Sequence, residues 1–170
     1  MRYTGISEQQ RDGSVSQHKR KGNKMSFDLS KIKWGRVVLW IVLGFLISFL
    51  IPNVIGSGYL VVLGFQMRGT PPQEVQIAVL TSPFYNLMAI LGTLVGGFIG
   101  GRQAARKAEE GGCLINGLAV GIGVAVLATV YAVIRVSSFT FWVPLHFILG
   151  IVGGWLGGWL AARRAQDEEF

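Results

Sequence analysis

The stretch GGFIGGRQAARKA, residues 96–108, returns as GGWLGGWLAARRA, residues 153–165. Eight of the thirteen positions are identical, and Phe98/Trp155, Ile99/Leu156 and Lys107/Arg164 exchange like for like. Both phrases have the same order: glycine pairs in an apolar run, then small residues, then a basic end. The runs they close belong to a set of four stretches free of Asp, Glu, Lys and Arg: Val37–Met67, Val75–Gly101, Gly111–Ile134 and Val136–Ala162. Each exceeds the roughly 20 residues that carry a helix across about 30 Å of hydrocarbon. Only structures that satisfy their own backbone groups survive there, and helices do so within one segment.

An all-α integral membrane four-helix bundle is therefore expected, with spans at about 36–58, 82–101, 113–134 and 140–162. Hydrophobic residues make up 51% of the chain, charged residues 15%, and mean hydropathy is +0.46. A soluble protein with four buried central helices would need an amphipathic shell, and no sequence is left to build one.

The formal net charge of +7 is distributed unevenly. Fourteen of the sixteen Lys and Arg lie before the first span, after the second or after the fourth, and only Arg68 and Arg135 fall in the other connections. The positive-inside rule then places both termini in the cytoplasm, as an N-in/C-in protein of the cell membrane. Basic residues with this distribution signal topology and not nucleic-acid binding, with anionic lipid as a second use. Arg102, Arg106, Lys107, Arg163 and Arg164 are the expected cytoplasmic anchors, at the negative ends of their helices.

Residues 1–33 are expected to form a disordered basic cytoplasmic tail, 34–165 the membrane domain, and 166–170 an acidic tail. Met1 and Met25 are both acceptable starts, and no cleavable signal peptide is visible. Trp34 and Trp40 mark the inner interface and Trp142 the outer one. Pro52 and Asn53 should loosen span one near its outer boundary, leaving about 57–67 as an interfacial remainder or a tilted extension. Thr70-Pro71-Pro72 starts a short surface helix, and Ser82-Pro83 caps span two. RQAARKAEE should continue span two as helix, with an Arg106–Glu110 pair, until Gly111-Gly112 stops it. The single cysteine, Cys113, excludes an internal disulfide and serves as a small apolar residue.

The glycines explain how such helices associate. Lipid tails are as apolar as leucine, so spans adhere through close backbone approach at small residues four apart. Gly92, Gly96, Gly97, Gly100 and Gly101 in span two make such a face, as do Gly117 and Gly121 in span three. Gly150, Gly153, Gly154, Gly157 and Gly158 repeat it in span four. Neighbours on a helix sit about 100° apart, so a doubled pair clears a face for two partners. Glycine-zipper packing follows. The repeated phrase also points to a tandem two-helix repeat, whose axis would stand along the membrane normal.

Chemistry is sparse. His146 is the one ionisable residue within the outer half of a span, and Asn53, Tyr85, Asn86 and Tyr131 lie at similar depth. Convergence of these five would form a small polar pocket. No metal-ligand spacing, phosphate loop, nucleophile elbow or carboxylate pair is present, so neither cofactor nor catalytic residue is expected. Gly100-Gly101-Arg102, Ala104, Gly112 and Asn116-Gly117 resemble small four-span, glycine-rich bacterial membrane proteins of uncharacterised function. The resemblance covers about 30 residues and implies a bacterial inner-membrane setting and no activity. Asn116 is expected to bond across helices to the Arg102 region.

Three functions are weighed. A non-enzymatic accessory or assembly subunit, or oligomerising module, comes first, with the lipid bilayer and a larger complex or further copies as partners. A small transporter or channel component acting as a homo-oligomer is second, since four glycine-packed helices leave no pore. A membrane enzyme is third.

Overall fold

The structure is a computed structural model of the chain, and it describes residues 29–108, 112–136 and 141–167. A short 3-10 turn at Leu29–Lys31 precedes five α-helices: α1 (Trp34–Gln66), α2 (Pro72–Thr81), α3 (Pro83–Ala105), α4 (Cys113–Val136) and α5 (Trp142–Asp167). Among the described residues there is no strand, and α1, α3, α4 and α5 are each long and apolar enough to cross a membrane.

Helix α1 covers the expected 36–58 span and continues as helix through the stretch after it. It runs unbroken for 33 residues, with Pro52 inside. At 1.5 Å per residue that is about 50 Å, well beyond the hydrocarbon thickness. Proline removes the N–H that would bond the Ser48 carbonyl one turn back. Gly92 of α3 lies against that carbonyl, so close that an added β-carbon would sit 2.9 Å from it. Asn53 Nδ2 donates to the Phe49 carbonyl at 2.6 Å and Ser57 Oγ to the Asn53 carbonyl at 2.7 Å, reinforcing the same turns. The chain finally turns at Gly69, whose φ of 92° favours glycine.

The two proline signals that follow fall where expected. Pro72 opens α2, which buries Val75 and Val79. Ser82 caps α3 by accepting a hydrogen bond from the Tyr85 N–H at 3.2 Å, with Pro83 in the first position. At its other end α3 stops earlier than RQAARKAEE promised. Arg106 is its C-cap, and the Ala108 N–H turns back to the Ala105 carbonyl at 2.9 Å. Ala104 and Ala105 are buried in its last turn, although helix propensity alone would have continued the helix. Glu109, Glu110 and Gly111 lie outside the described residues, and with them the Arg106–Glu110 pair and the stop at Gly111-Gly112.

Helix α3 is the hub and touches α1, α4 and α5, while α5 packs on α3 and α4. Helix α1 is at the edge: 17% of its most apolar window is buried, against 44% for α3.

The glycines set the inter-axis distances. A β-carbon on Gly97 would lie 2.7 Å from the Gly150 carbonyl oxygen, one on Gly101 2.7 Å from that of Gly154, and one on Gly100 2.8 Å from that of Trp40. On Gly117 it would lie 2.6 Å from Gly158 Cα, and on Gly121 2.9 Å from the Gly150 oxygen. Gly96 abuts the Gly44 carbonyl, Gly153 that of Leu94, Gly157 that of Phe98, and Gly154 meets Gly121 Cα. Real β-carbons do not come this close to backbone, so these positions accept hydrogen alone.

The two phrases are not used equivalently. In α3 the first glycine of each pair, Gly96 and Gly100, meets the preceding span α1, and the second, Gly97 and Gly101, meets α5. In α5 the order is reversed: Gly153 and Gly157 meet α3, whereas Gly154 and Gly158 meet α4. Units related by an axis along the membrane normal would use equivalent glycines alike, so the glycine contacts contradict the expected repeat symmetry. A face bared on both sides has no preferred hand. It accepts either neighbour on either side.

The basic end brings a second correction. Residues 29–33, expected as disordered tail, are folded against the bundle. Ile32 joins Val37, Ala104, Ile115, Val120 and Val124 in one apolar cluster. Asn116, 1% exposed, holds the segment in place. Its Oδ1 accepts from the Lys33 N–H at 3.1 Å, and its Nδ2 donates to the Lys31 carbonyl at 3.3 Å and the Gly112 carbonyl at 2.8 Å. These partners replace the expected Arg102 region, because the lead-in to α1 offers bare backbone groups that a helix does not. Arg36 adds a bond from Nη2 to the Gln103 carbonyl at 3.1 Å. Replacing Asn116 with alanine is expected to lower stability by about 1–3 kcal/mol, the range for stranding buried backbone partners. Denaturant unfolding in detergent, with proteolysis near Lys31, measures both the loss and the release of the segment.

Candidate functional site

The expected polar residues sit at the end of the bundle away from the basic cluster. Four of the five line one cavity of about 60 Å³: Tyr85 and Asn86 from α3, Tyr131 from α4 and His146 from α5. Helix α1 closes it with Phe45, Ser48, Phe49 and Pro52, and α2 with Leu80. Asn53 does not take part. It is one residue beyond Pro52, about 100° around the helix, and its amide is used on the Phe49 carbonyl.

His146 enters because Trp142 and Pro144 start α5 just before it, and the exposed neighbours Phe147 and Ile148 turn outward. The ring is 6% exposed, and its Nδ1 lies 3.0 Å from Thr93 Oγ1, itself 1% exposed. The threonine hydroxyl also sits 3.0 Å from the Ala89 carbonyl. A hydroxyl has one proton, and a carbonyl can only accept. With the threonine proton on the Ala89 carbonyl, the back-bond to residue i−4 that Thr commonly makes in helices, Thr93 accepts from His146, the imidazole proton sits on Nδ1 and Nε2 is left as an acceptor.

Thr93 and Ser48 were missed as site residues. The Ser48 hydroxyl donates to the Phe45 carbonyl at 2.7 Å. A signal did exist for Thr93: it lies seven residues after Asn86, two helical turns along the same face. Asn86 Nδ2 donates to the Ser82 carbonyl at 3.0 Å, anchoring the start of α3. Tyr131 is wedged edge-on between Phe49, at 5.3 Å between ring centroids, and Phe45, at 6.3 Å.

The cavity holds a few waters or one very small solute. Drug-sized ligands need several times this volume. Among the described residues no group of three or more His, Cys, Asp or Glu gathers as a metal site would require.

The expected anchors form a separate region at the basic end. Arg106, Lys107, Arg163 and Arg164 are exposed. Arg163 lies over the Trp159 ring at 4.3 Å, so the tryptophan standing where the first phrase has Arg102 carries a cation on its face. Arg106 Nη1 reaches Gln103 Oε1 at 3.4 Å. Arg102 is half-buried, with its Nε lacking a partner among the described residues.

A helical protein with four potential spans, glycine-lined contacts and a small cavity bearing a few polar side chains is the class these features define. Comparisons with protein-family models, with curated proteins and with solved structures found no match.

Proposed function

We propose that the chain is a non-enzymatic multi-pass protein of the cell membrane, with both termini cytoplasmic and glycine-zipper packing within the bilayer, acting as an accessory or assembly subunit. One observation carries the reading. The glycine faces of α3, α4 and α5 are already filled by neighbours within the chain, while α1 leaves most of its apolar surface to lipid or to another membrane protein. Val54, Val61, Val62 and Phe65 are each more than half exposed along one face of α1, with open space beside Gly58. The same filling argues against a pore within one chain. It also argues against oligomerisation through the glycine pairs, because no pair is left to share.

The sparse chemistry supports a non-enzymatic role. Among the described residues His146 is the one buried imidazole, and no Asp, Glu, Lys or Arg side chain is fully buried. A second reading, a small transporter component, draws on the cavity around it.

The native mass of the particle in mild detergent, combined with photo-crosslinking from Val61 or Leu127, tests the accessory reading. A second membrane protein crosslinked from Val61 and not from Leu127 is the expected result. A bare monomer with no crosslink from either position contradicts it, and a homo-oligomer supports the transporter reading.

A further inference from the structure

We infer that the cavity between the four long helices is a binding site for one small, uncharged hydrogen-bond donor of one to three heavy atoms. The argument starts from where the protons point. Every polar group of the lining whose bonds are resolved donates away from the space: Ser48 to Phe45, Thr93 to Ala89, Asn86 Nδ2 to Ser82, and His146 Nδ1 to Thr93. At these four groups what remains toward the cavity is acceptor capacity, and the Tyr85 and Tyr131 hydroxyls complete the polar part of the lining. His146 Nε2 makes no hydrogen bond to any described residue, although the side chain is more than nine-tenths buried and lines the space. Asn86 Oδ1 is likewise unengaged among the described residues once its amide nitrogen is used.

Charge decides between ligand classes. An anion would meet no donor at Nε2 or Asn86 Oδ1. A cation would be stripped of water with no described carboxylate in the lining to pair with it, an expensive arrangement in an apolar surround. A neutral donor such as methanol satisfies an acceptor that burial would otherwise strand, and places its methyl group against the aromatic rings. Size points the same way, because a space of about 60 Å³ suits a molecule of methanol's size.

The test uses the full chain carrying His18→Gln, so that His146 is its single histidine, labelled with ¹⁵N and held in lipid nanodiscs. The imidazole nitrogen shifts first report the tautomer, expected as protonated Nδ1 and bare Nε2. Methanol is then titrated against tert-butanol and methylammonium chloride. A saturable Nε2 shift with methanol alone is expected. Filling the space with Ala132→Leu, in protein whose circular dichroism is unchanged, should weaken it at least about tenfold. An Nε2 that carries the proton overturns the proposal, as does an unsaturable response or none, which means water is the only occupant. An equal response to tert-butanol means a solvent effect, and saturation by methylammonium means an ion site. Because the wild-type lining is measured directly, the result does not depend on the variant folding.

Discussion

Replacing Gly154 with leucine is expected to destabilise the protein by more than about 3 kcal/mol, the upper end of small-to-large changes in packed interiors. The β-carbon alone would collide with backbone on α4: Gly121 Cα, the Gly117 carbonyl oxygen at 2.6 Å and the Gly121 nitrogen at 2.6 Å. Backbone cannot rotate aside as a side chain can, so the two helices must separate. Separation then forfeits the neighbouring contacts at Gly117, Gly121, Gly150 and Gly158. Gly97→Leu should behave similarly, through the Gly150 carbonyl oxygen at 2.7 Å and the Gly154 nitrogen at 3.3 Å. Leu156→Phe is the control, because this partly exposed side chain can grow toward lipid, and it should shift stability by less than about 1 kcal/mol. Denaturant unfolding in detergent of these variants compares them. Equal losses at glycine and leucine would mean that the glycines are not contact surfaces.

His146→Ala is expected to lower stability by about 2–4 kcal/mol, the range for emptying a buried site of that size. The loss should come mainly from volume. The imidazole–threonine bond itself contributes less, since hydrogen bonds between membrane helices average about 0.6 kcal/mol and reach about 1.7. Thr93→Val should therefore be milder than His146→Ala, and a double-mutant cycle should place the coupling within that smaller range. Co-purification with a partner should persist in both variants once abundance is matched. Loss of activity at normal abundance in His146→Ala would favour the transporter reading over the accessory one.

The fold was legible wherever one physical rule acted alone. Charge-free length located four long helices, and Pro72 and Ser82-Pro83 located the turns around α2. Legibility failed where tertiary contacts overruled local signals. Pro52, expected to loosen span one, sits inside an unbroken α1, with Gly92 packed against the carbonyl it frees. The helical composition of RQAARKAEE carried α3 only through Ala105, whose buried side chain packs in the bundle. Ile32 and Asn116 drew the basic lead-in onto the bundle, which composition alone reads as tail. In the cavity, depth estimates placed Tyr85, Asn86, Tyr131 and His146 together. They could not separate Asn53 from Pro52, which differ by only one helical step, and Thr93 was hidden within an apolar run. The repeated phrase was the most deceptive feature. Its identity is real, but hydrogen side chains on two adjacent faces carry no instruction about which neighbour sits on which side.

The account stands on four membrane crossings with the basic end inside, and a reporter pair tests this most directly. A reporter active only in the cytoplasm should work when fused after Phe170 and when inserted after Ala108. It should be silent when inserted after Thr70 or fused after Arg135. Activity at Thr70 or Arg135, or silence at Phe170, would contradict the crossings and the orientation together.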